Sequence, residues 1–264
     1  MHPITITTEN QIATVTLNRP EKRNALSLEM FEAIVSAQRQ LKKSKQLRAI
    51  IIRGAGEDFC SGLDVKSVLS SQKTGFKLLW KWLPWQANLA QKVSVGWREI
   101  PVPVVAAIHG RCWGGGLQIA LGCDFRIATP DADLSIMEGK WGLIPDMGGT
   151  TALREIMPRD QAMLWAMSAN TFNAEQAKEC GVLTMISSDV DAAAKDILSG
   201  MLPRSPDAIA AVKKLYSKHW LASIGKLLCL ESWYQWRILL GKNQRIAVAK
   251  QQGKDRTYQA PMRW

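Results

Sequence analysis

The sequence predicts an α/β layered domain followed by an all-helical C-terminal region. Two observations carry that class. Apolar β-rich runs alternate with helix-spaced segments over about the first two hundred residues, and from Pro206 onward only helical patterns recur. Composition agrees: 47% hydrophobic and 22% charged in 264 residues is ordinary globular usage, which argues against a disordered, collagen-like or coiled-coil chain.

The elements follow in order. Ile4–Thr7 and Ile12–Leu17 are β-rich runs separated by the polar stretch Thr8–Gln11, and read as a hairpin. From Leu28 to Leu41, the residues Phe31, Ile34, Ala37, Gln38 and Leu41 share one helix face, with Ser27 as N-cap. Ala49–Ile52 is a buried strand running into Arg53-Gly54-Ala55-Gly56, and the loop FCSGLDV follows. Residues 74–98 hold Trp80, Trp82, Trp85 and Trp97 among Leu and Lys, which suits either a helix lying over an apolar pocket or core packing. Pro101 and Pro103 introduce the apolar strand Val104–Ile108, which His109-Gly110 end ahead of Trp113 and three glycines. LQIALGCD then looks helical, Phe125–Ala128 and Leu134–Ile136 look like short strands, and MEGKWGLIPDMGGT follows. The segments Asp207–Lys218 and Leu221–Leu240 read as helices with one packed and one charged face, suited to a subunit interface.

Charge narrows the partners. Lys and Arg number 34 against 23 Asp and Glu, a net +11. From Arg204 to the end there are twelve basic and three acidic residues, so nine of the eleven excess charges lie in this last stretch. A polyanion, an anionic membrane and an anionic small molecule are all candidates. The first eleven residues lack the basic flank and apolar stretch of a secretory leader, and charges or glycines interrupt every long apolar run. Cys60, Cys112, Cys123, Cys180 and Cys229 are odd in number and include no C-x-x-C pair, hence no metal-ligand spacing. The expectation is a cytoplasmic protein with reduced thiols, no metal and no membrane span.

Two glycine-marked loops each follow an apolar strand: Cys60-Ser61-Gly62-Leu63-Asp64 and Trp113-Gly114-Gly115-Gly116-Leu117. Glycines at a strand-to-helix junction let a ligand approach the backbone and leave amides free to hold an oxygen anion. Either loop alone also reads as an ordinary turn, and neither has a phosphate-loop spacing.

Taken together, ITITTENQIATVTLNRPEKRNALS, FCSGLDV, PVPVVAAIHGRCWGGGLQIALGCDFRIA, LSIMEGKWGLIPDMGGT and SPDAIAAVKKL resemble, in content and order, the crotonase or enoyl-CoA hydratase/isomerase superfamily. The resemblance implies a spiral of ββα units over residues 1–200, with residues 201–264 as a helical region that covers the site and builds a homotrimer or a dimer of trimers. It implies an acyl-CoA thioester substrate, with coenzyme A entering as part of the substrate and no other cofactor. It makes Leu63 and Gly115 the backbone donors to an enolate oxygen, whose charge exceeds that of the ground-state carbonyl. It assigns Lys22, Arg23, Ala25, Ser61, Gly62, Asp64, Val65 and Lys66 to substrate and CoA binding, where the alternative for any single lysine is solvated surface charge.

Proton carriers come next. The first glutamate of the family's hydratases falls on Gln118, which can orient water or substrate by hydrogen bonds but cannot exchange a proton as a carboxylate does. The second falls on Glu138, in an otherwise apolar stretch where burial should raise its pKa into the range of a useful base. Asp146, eight residues on, gives a spacing that resembles the dienoyl-CoA isomerases, although those carry Asp where Gln118 stands. Asp146 is equally readable as a helix N-cap. These residues favour double-bond migration in an enoyl- or dienoyl-CoA, with 2-enoyl-CoA hydration as the runner-up. His109 lacks a Ser or Cys partner and reads as structural. Trp113, Trp141 and the Trp80–Trp85 cluster are candidates for an acyl tunnel or for core. A crotonase-fold RNA- or polyanion-binding protein is the rival from another class, and the absence of an RNP or zinc-finger motif argues against nucleic acid.

Overall fold

The computed structural model describes residues 2–69 and 72–262, so Met1, Ser70, Ser71, Arg263 and Trp264 lie outside the described residues. β1 (Ile4–Glu9) and β2 (Ile12–Leu17) form the expected antiparallel hairpin. Its turn is two residues, not four: Thr8 and Glu9 still pair with Ala13 and Ile12, and the chain reverses at Asn10 and Gln11, both at positive φ (49° and 67°). That left-handed pair matches the twist of the flanking strands.

α1 (Leu28–Lys43) follows, with the Ser27 hydroxyl accepting from the Met30 amide at 3.3 Å. A Ser27→Ala change should cost about 1 kcal/mol, read as a lowering of Tm by about 2–4 °C. β3 (Ala49–Gly54), α2 (Val65–Leu69), α3 (Gln72–Leu79), α4 (Leu89–Val95) and β4 (Val104–Ile108) come next. Then come β5 (Arg111–Trp113), α5 (Gly115–Leu121), β6 (Phe125–Ala128), β7 (Asp133–Ser135), α6 (Gly149–Ile156) and α7 (Arg159–Ser168). The chain closes with β8 (Thr171–Asn173), α8 (Ala174–Glu179), β9 (Met185–Ile186), α9 (Val190–Ser199), α10 (Pro206–His219), α11 (Ile224–Leu239) and α12 (Lys242–Gln251).

The main sheet runs β1-β2-β3-β4-β6-β9, parallel throughout except for the β1–β2 hairpin. Both faces of its centre are covered, which is why β3 and β4 read as unbroken apolar runs. Ile50, Ile52, Val104, Ala106 and Ile108 join the core that contains Phe31 and Ile34 of α1. Ala49, Ile51, Val105 and Ala107 point the other way, against Val190, Ala194 and Leu198 of α9.

A second layer holds β5-β7-β8 and is extended by single bridges between Cys60 and Cys112 and between Leu26 and Leu63. After each main-sheet strand the chain therefore sends one extended segment into this layer: Leu26 after β2, Cys60–Leu63 after β3, β5 after β4, β7 after β6. Each segment lies against the one from the previous turn, and the chain winds as a spiral of ββα units. β5 and β8 escape the sequence patterns because three residues are too few to show a period.

From Pro206 the chain is helical, as expected. α10 is anchored by Lys213, which is 8% exposed; its Nζ donates to the carbonyls of Trp97 and Val102 (3.0 and 2.8 Å) and pairs with Asp124 at 2.7 Å. The Asp207 carboxylate accepts from Asn243 and from the Met262 amide, tying α12 and the tail to α10. Among the described residues no helix is long and apolar enough to cross a membrane.

Candidate active site

The spiral sets the two glycine loops side by side. The Ser61 amide donates to the Arg23 carbonyl, Leu26 to Gly62 and Asp64 to Leu26 on one side of the first loop. On the other side Cys60 donates to Arg111, and Trp113 donates to Cys60. Gly62 sits at φ +94°, where a β-carbon would meet the Trp113 carbonyl oxygen at 3.0 Å and the Gly115 nitrogen at 3.6 Å. The first loop thus reaches the second only because position 62 has no side chain. Among the described residues neither the Leu63 nor the Gly115 amide has a protein acceptor. Two free amides on abutting loops can hold one oxygen anion, the second at the N-terminus of α5.

Glu138 arrives from the next turn of the spiral. β5 and β7 pair in parallel with Trp113 opposite Ser135, and the Gly114 amide donates to the Ser135 carbonyl at 2.8 Å. The carboxyl ends of both strands therefore open at the same place, the usual ligand position on parallel strands. Glu138 lies in the 3-10 turn Met137–Trp141 just beyond β7, with Oε1 3.4 Å from where a β-carbon on Gly114 would stand. A cavity of about 390 Å3 opens there, lined by Gly62, Leu63, Gly114, Gly115, Glu138 and Asp146 among others. Phe31, Val68, Leu78 and Ala90 give it an apolar wall.

Gln118 has a different post from the one expected. It is 1% exposed, outside the cavity lining, and spends its amide on the protein. Nε2 donates to Glu138 Oε1 at 2.5 Å, and Oε1 accepts from the Met147 and Gly149 amides at 2.9 and 3.0 Å. It orients Glu138 and pins the loop that carries Asp146, and its oxygen has no lone pair left to position a water. Among the described residues Glu138 Oε2 is buried without a hydrogen-bond partner. Burial raises the Glu138 pKa; its own backbone amide and the Gln118 bond pull the other way, and the charge of Asp146 raises it further. Asp146 is also raised by burial. It is not the helix cap that its sequence context allowed, since α6 is capped by Gly148 with no side-chain cap bond.

The remaining expected positions divide. Ser61, Gly62 and Val65 line the cavity, whereas Lys22, Arg23, Ala25, Asp64 and Lys66 do not. Asp64 pairs with Arg19 at 3.3 Å, and Arg19 also donates to the Ala25 carbonyl at 2.6 Å. Lys22, Arg23 and Lys66 are exposed beside the loop, free to meet a charged group outside the cavity. Asn24, within the loop Lys22–Leu26 that the resemblance assigns to coenzyme A, has a structural post instead. Fully buried at φ 55°, it accepts from the Arg19 amide and donates to the carbonyls of Ala55 and Asp58, locking the 19–26 turn against the first glycine loop. An Asn at a left-handed position after a basic pair was the available signal.

The aromatic residues separate in the same way. Trp113 and Trp141 line the cavity, and Trp97 is core. Trp80, Trp82 and Trp85 are neither tunnel nor core: α3 turns Gly75, Leu78 and Leu79 to the cavity, and the tryptophans face outward. A larger hollow of about 490 Å3 beside α10 holds Arg98, Glu155, Asp124 and Lys213, which already pair with one another.

The family model for enoyl-CoA hydratase/isomerase matches residues 7–226. The mitochondrial Delta(3,5)-Delta(2,4)-dienoyl-CoA isomerase of Mus musculus is 31% identical over 221 residues, 80% of this chain and 67% of that protein. The peroxisomal Delta(3,5)-Delta(2,4)-dienoyl-CoA isomerase of Arabidopsis thaliana is 29% identical over 255 residues, 94% of this chain and 92% of the other. The crystal structure of an enoyl-CoA hydratase from Polaromonas sp. JS666 superposes with a TM-score of 0.85 at 26% identity, over 98% of each chain. A spiral that presents two free amides and a buried carboxylate to one cavity, and a sequence match over this length, agree: the chain belongs to the enoyl-CoA hydratase/isomerase family and is an enzyme of it.

Proposed function

We propose that the enzyme moves the double bonds of a dienoyl-CoA from the 3,5 to the 2,4 positions, with Glu138 and Asp146 as the two proton carriers. The observation that carries this reading is that both carboxyls line one cavity, neither is spent on a cap or an ion pair, and burial raises both pKa values. Glu138 stands beside the Gly114–Gly115 turn, so it faces the carbon next to the thioester carbonyl. Its carboxylate takes the C2 proton as the C2–H electron pair enters the conjugated system. The charge collects on the thioester oxygen, held by the Leu63 and Gly115 amides. The two carboxyls hold one proton between them, and with that proton on Asp146, Asp146 gives it to C6 as the electron pair returns there. The carboxyls end the turnover with roles exchanged and reset by proton exchange with water.

Gln118 holds Glu138 by a donated hydrogen bond, which favours the ionised base. Its oxygen is committed to Met147 and Gly149, so that oxygen is not available to orient a water for hydration. Lys22, Arg23 and Lys66 are proposed to meet the phosphates of coenzyme A, which enters on the substrate; carboxylates and amides suffice for the reaction without a further cofactor. The exposed apolar residues Ile224, Leu228 and Trp236 on α11, with Leu240 at its C-cap, support assembly as a homotrimer or a dimer of trimers. Five unpaired cysteines support a cytoplasmic setting and not an oxidising one.

The test is NMR of the enzyme with a 3,5-dienoyl-CoA, a 3-enoyl-CoA and a 2-enoyl-CoA in deuterated water. The expected result is a 2,4-dienoyl product deuterated at C6. Asp146→Asn should lower dienoyl turnover by about 10²–10⁴-fold while leaving C2 proton exchange in place. If Asp146→Asn keeps wild-type dienoyl turnover, Glu138 works alone. If only a 3-hydroxyacyl-CoA forms, the enzyme is a hydratase.

A further inference from the structure

The segment that roofs the cavity carries a surface the chemistry does not use. Phe76, Trp80, Trp82 and Trp85 are all exposed, Trp82 at 85% and Trp85 at 80%. Phe76 contacts Trp80 with ring centroids 4.9 Å apart, and Trp80 contacts Trp82 at 6.5 Å, so these three rings form one continuous patch and Trp85 follows three residues on. Trp82 and Trp85 flank Leu83 and Pro84 at the tip of the turn after α3. A soluble face does not ordinarily gather this many large apolar side chains. Charge is as one-sided as shape: from Val65 to Arg98 there are six basic residues and no acidic one. Lys73 and Lys77 project from α3 and Lys81 follows it, and Lys77 is paired with Glu32 of α1. Indole rings with lysines around them form the pattern that settles at a bilayer's headgroup level, where the rings enter the interface and the ammonium groups meet anionic lipid.

We propose that the exposed Trp80–Trp85 turn, with Lys73 and Lys81 beside it, docks the enzyme reversibly on an anionic phospholipid surface with the cavity mouth facing the bilayer. Two observations favour lipid over a second copy of the chain. An interface related by two-fold symmetry would press this acid-free basic segment against itself. The other large exposed apolar face, α11, belongs to the C-terminal region where twelve basic residues meet three acidic ones, so pairing the two faces would also bring like charges together. Position gives the docking a use: Leu79 lines the cavity immediately before Trp80, and Trp141 and Leu143, both partly exposed, line it too. An acyl chain partitioned in the bilayer would then reach the cavity along apolar surface. Only that use rests on the acyl-CoA reading; the docking stands on the surface itself.

The test needs no substrate. The intact enzyme is floated with vesicles of phosphatidylcholine alone and of phosphatidylcholine with phosphatidylglycerol, and tryptophan quenching by brominated lipid is recorded in parallel. Partition into the anionic vesicles only, with quenching, is expected. The double change Trp82→Ser with Trp85→Ser should weaken it about tenfold or more and remove most of the quenching. Lys73→Gln and Lys81→Gln should each weaken it by about fivefold. Unchanged Tm and sedimentation confirm that these variants fold and assemble. Absence of binding to anionic vesicles, or binding that the tryptophan variant retains, overturns the proposal. A tryptophan variant that dissociates the assembly without altering partition also overturns it and makes the patch an interface between copies. Isomerase activity is assayed separately on a short-chain substrate, so failure of the dienoyl-CoA reading leaves this result unaffected.

Discussion

Glu138→Gln should lower double-bond migration by about 10²–10⁴-fold in kcat, with little change in KM, because it removes the base and keeps the shape. The Gln118 amide still finds an oxygen at position 138, and the loop stays pinned by the Met147 and Gly149 bonds. The same substitution should raise stability at alkaline pH. Burial lifts the folded-state pKa of Glu138 above its usual 4.5, so the folded protein holds the ionised form less well than the unfolded chain does. That penalty is absent below the unfolded pKa, grows as pH rises toward the folded one, and is full above it. The variant should therefore gain Tm over wild type under alkaline conditions and lose the advantage in acid. In the wild type, the acid limb of kcat/KM should lie above the ordinary carboxylate range, since Glu138 must be ionised to act. Steady-state kinetics and thermal melts across pH check both. Wild-type turnover in Glu138→Gln would remove it from the chemistry.

Gly114→Ala is the second large effect, and it acts on the backbone. Gly114 sits at φ 49°, ψ −118°, a combination that only glycine adopts without strain, and it positions the Gly115 amide at the start of α5. A β-carbon there would reach only ordinary contact with Glu138 Oε1 (3.4 Å) and Met137 Cβ (3.5 Å), so the strain lies in the backbone. The turn must rotate to relieve this, and the amide leaves the position where the enolate oxygen develops. Loss of one such donor typically costs about 10²–10³ in kcat. The expected signature is a fall in kcat with KM nearly unchanged, plus a destabilisation of about 1–3 kcal/mol from the strained backbone. A crystal structure of the variant with unchanged turn geometry and full activity would place the oxyanion donor elsewhere.

Glu138 and Gly114 differ in how visible they are. A lone carboxylate in an apolar stretch stands out in a sequence, because burying it needs a reason. Backbone donors leave only their glycines, and those glycines also fit ordinary turns. Asp146 was readable as cap or as proton carrier with equal justice, because Asp before a helix serves either end. The structure gives the cap to Gly148, since the helix begins later than Pro145 suggests. Gln118 was legible as a departure from two glutamates, yet its three hydrogen bonds join residues 20 to 31 positions apart, which no local pattern encodes.

The sequence by itself determined the strand and helix alternation, the hairpin, the Ser27 cap, the helical C-terminal region and the buried position of the Glu138 carboxylate. Each is written in a local period, a turn residue or a charge set among apolar neighbours. Only the tertiary structure decided that Leu63, Gly115, Glu138 and Asp146 share one cavity and that Trp80, Trp82 and Trp85 stay outside it. Those outcomes depend on the register of one spiral turn on the next, Cys60 against Cys112 and Trp113 against Ser135. Register between distant segments is set by packing the whole core at once, and no window along the chain contains it.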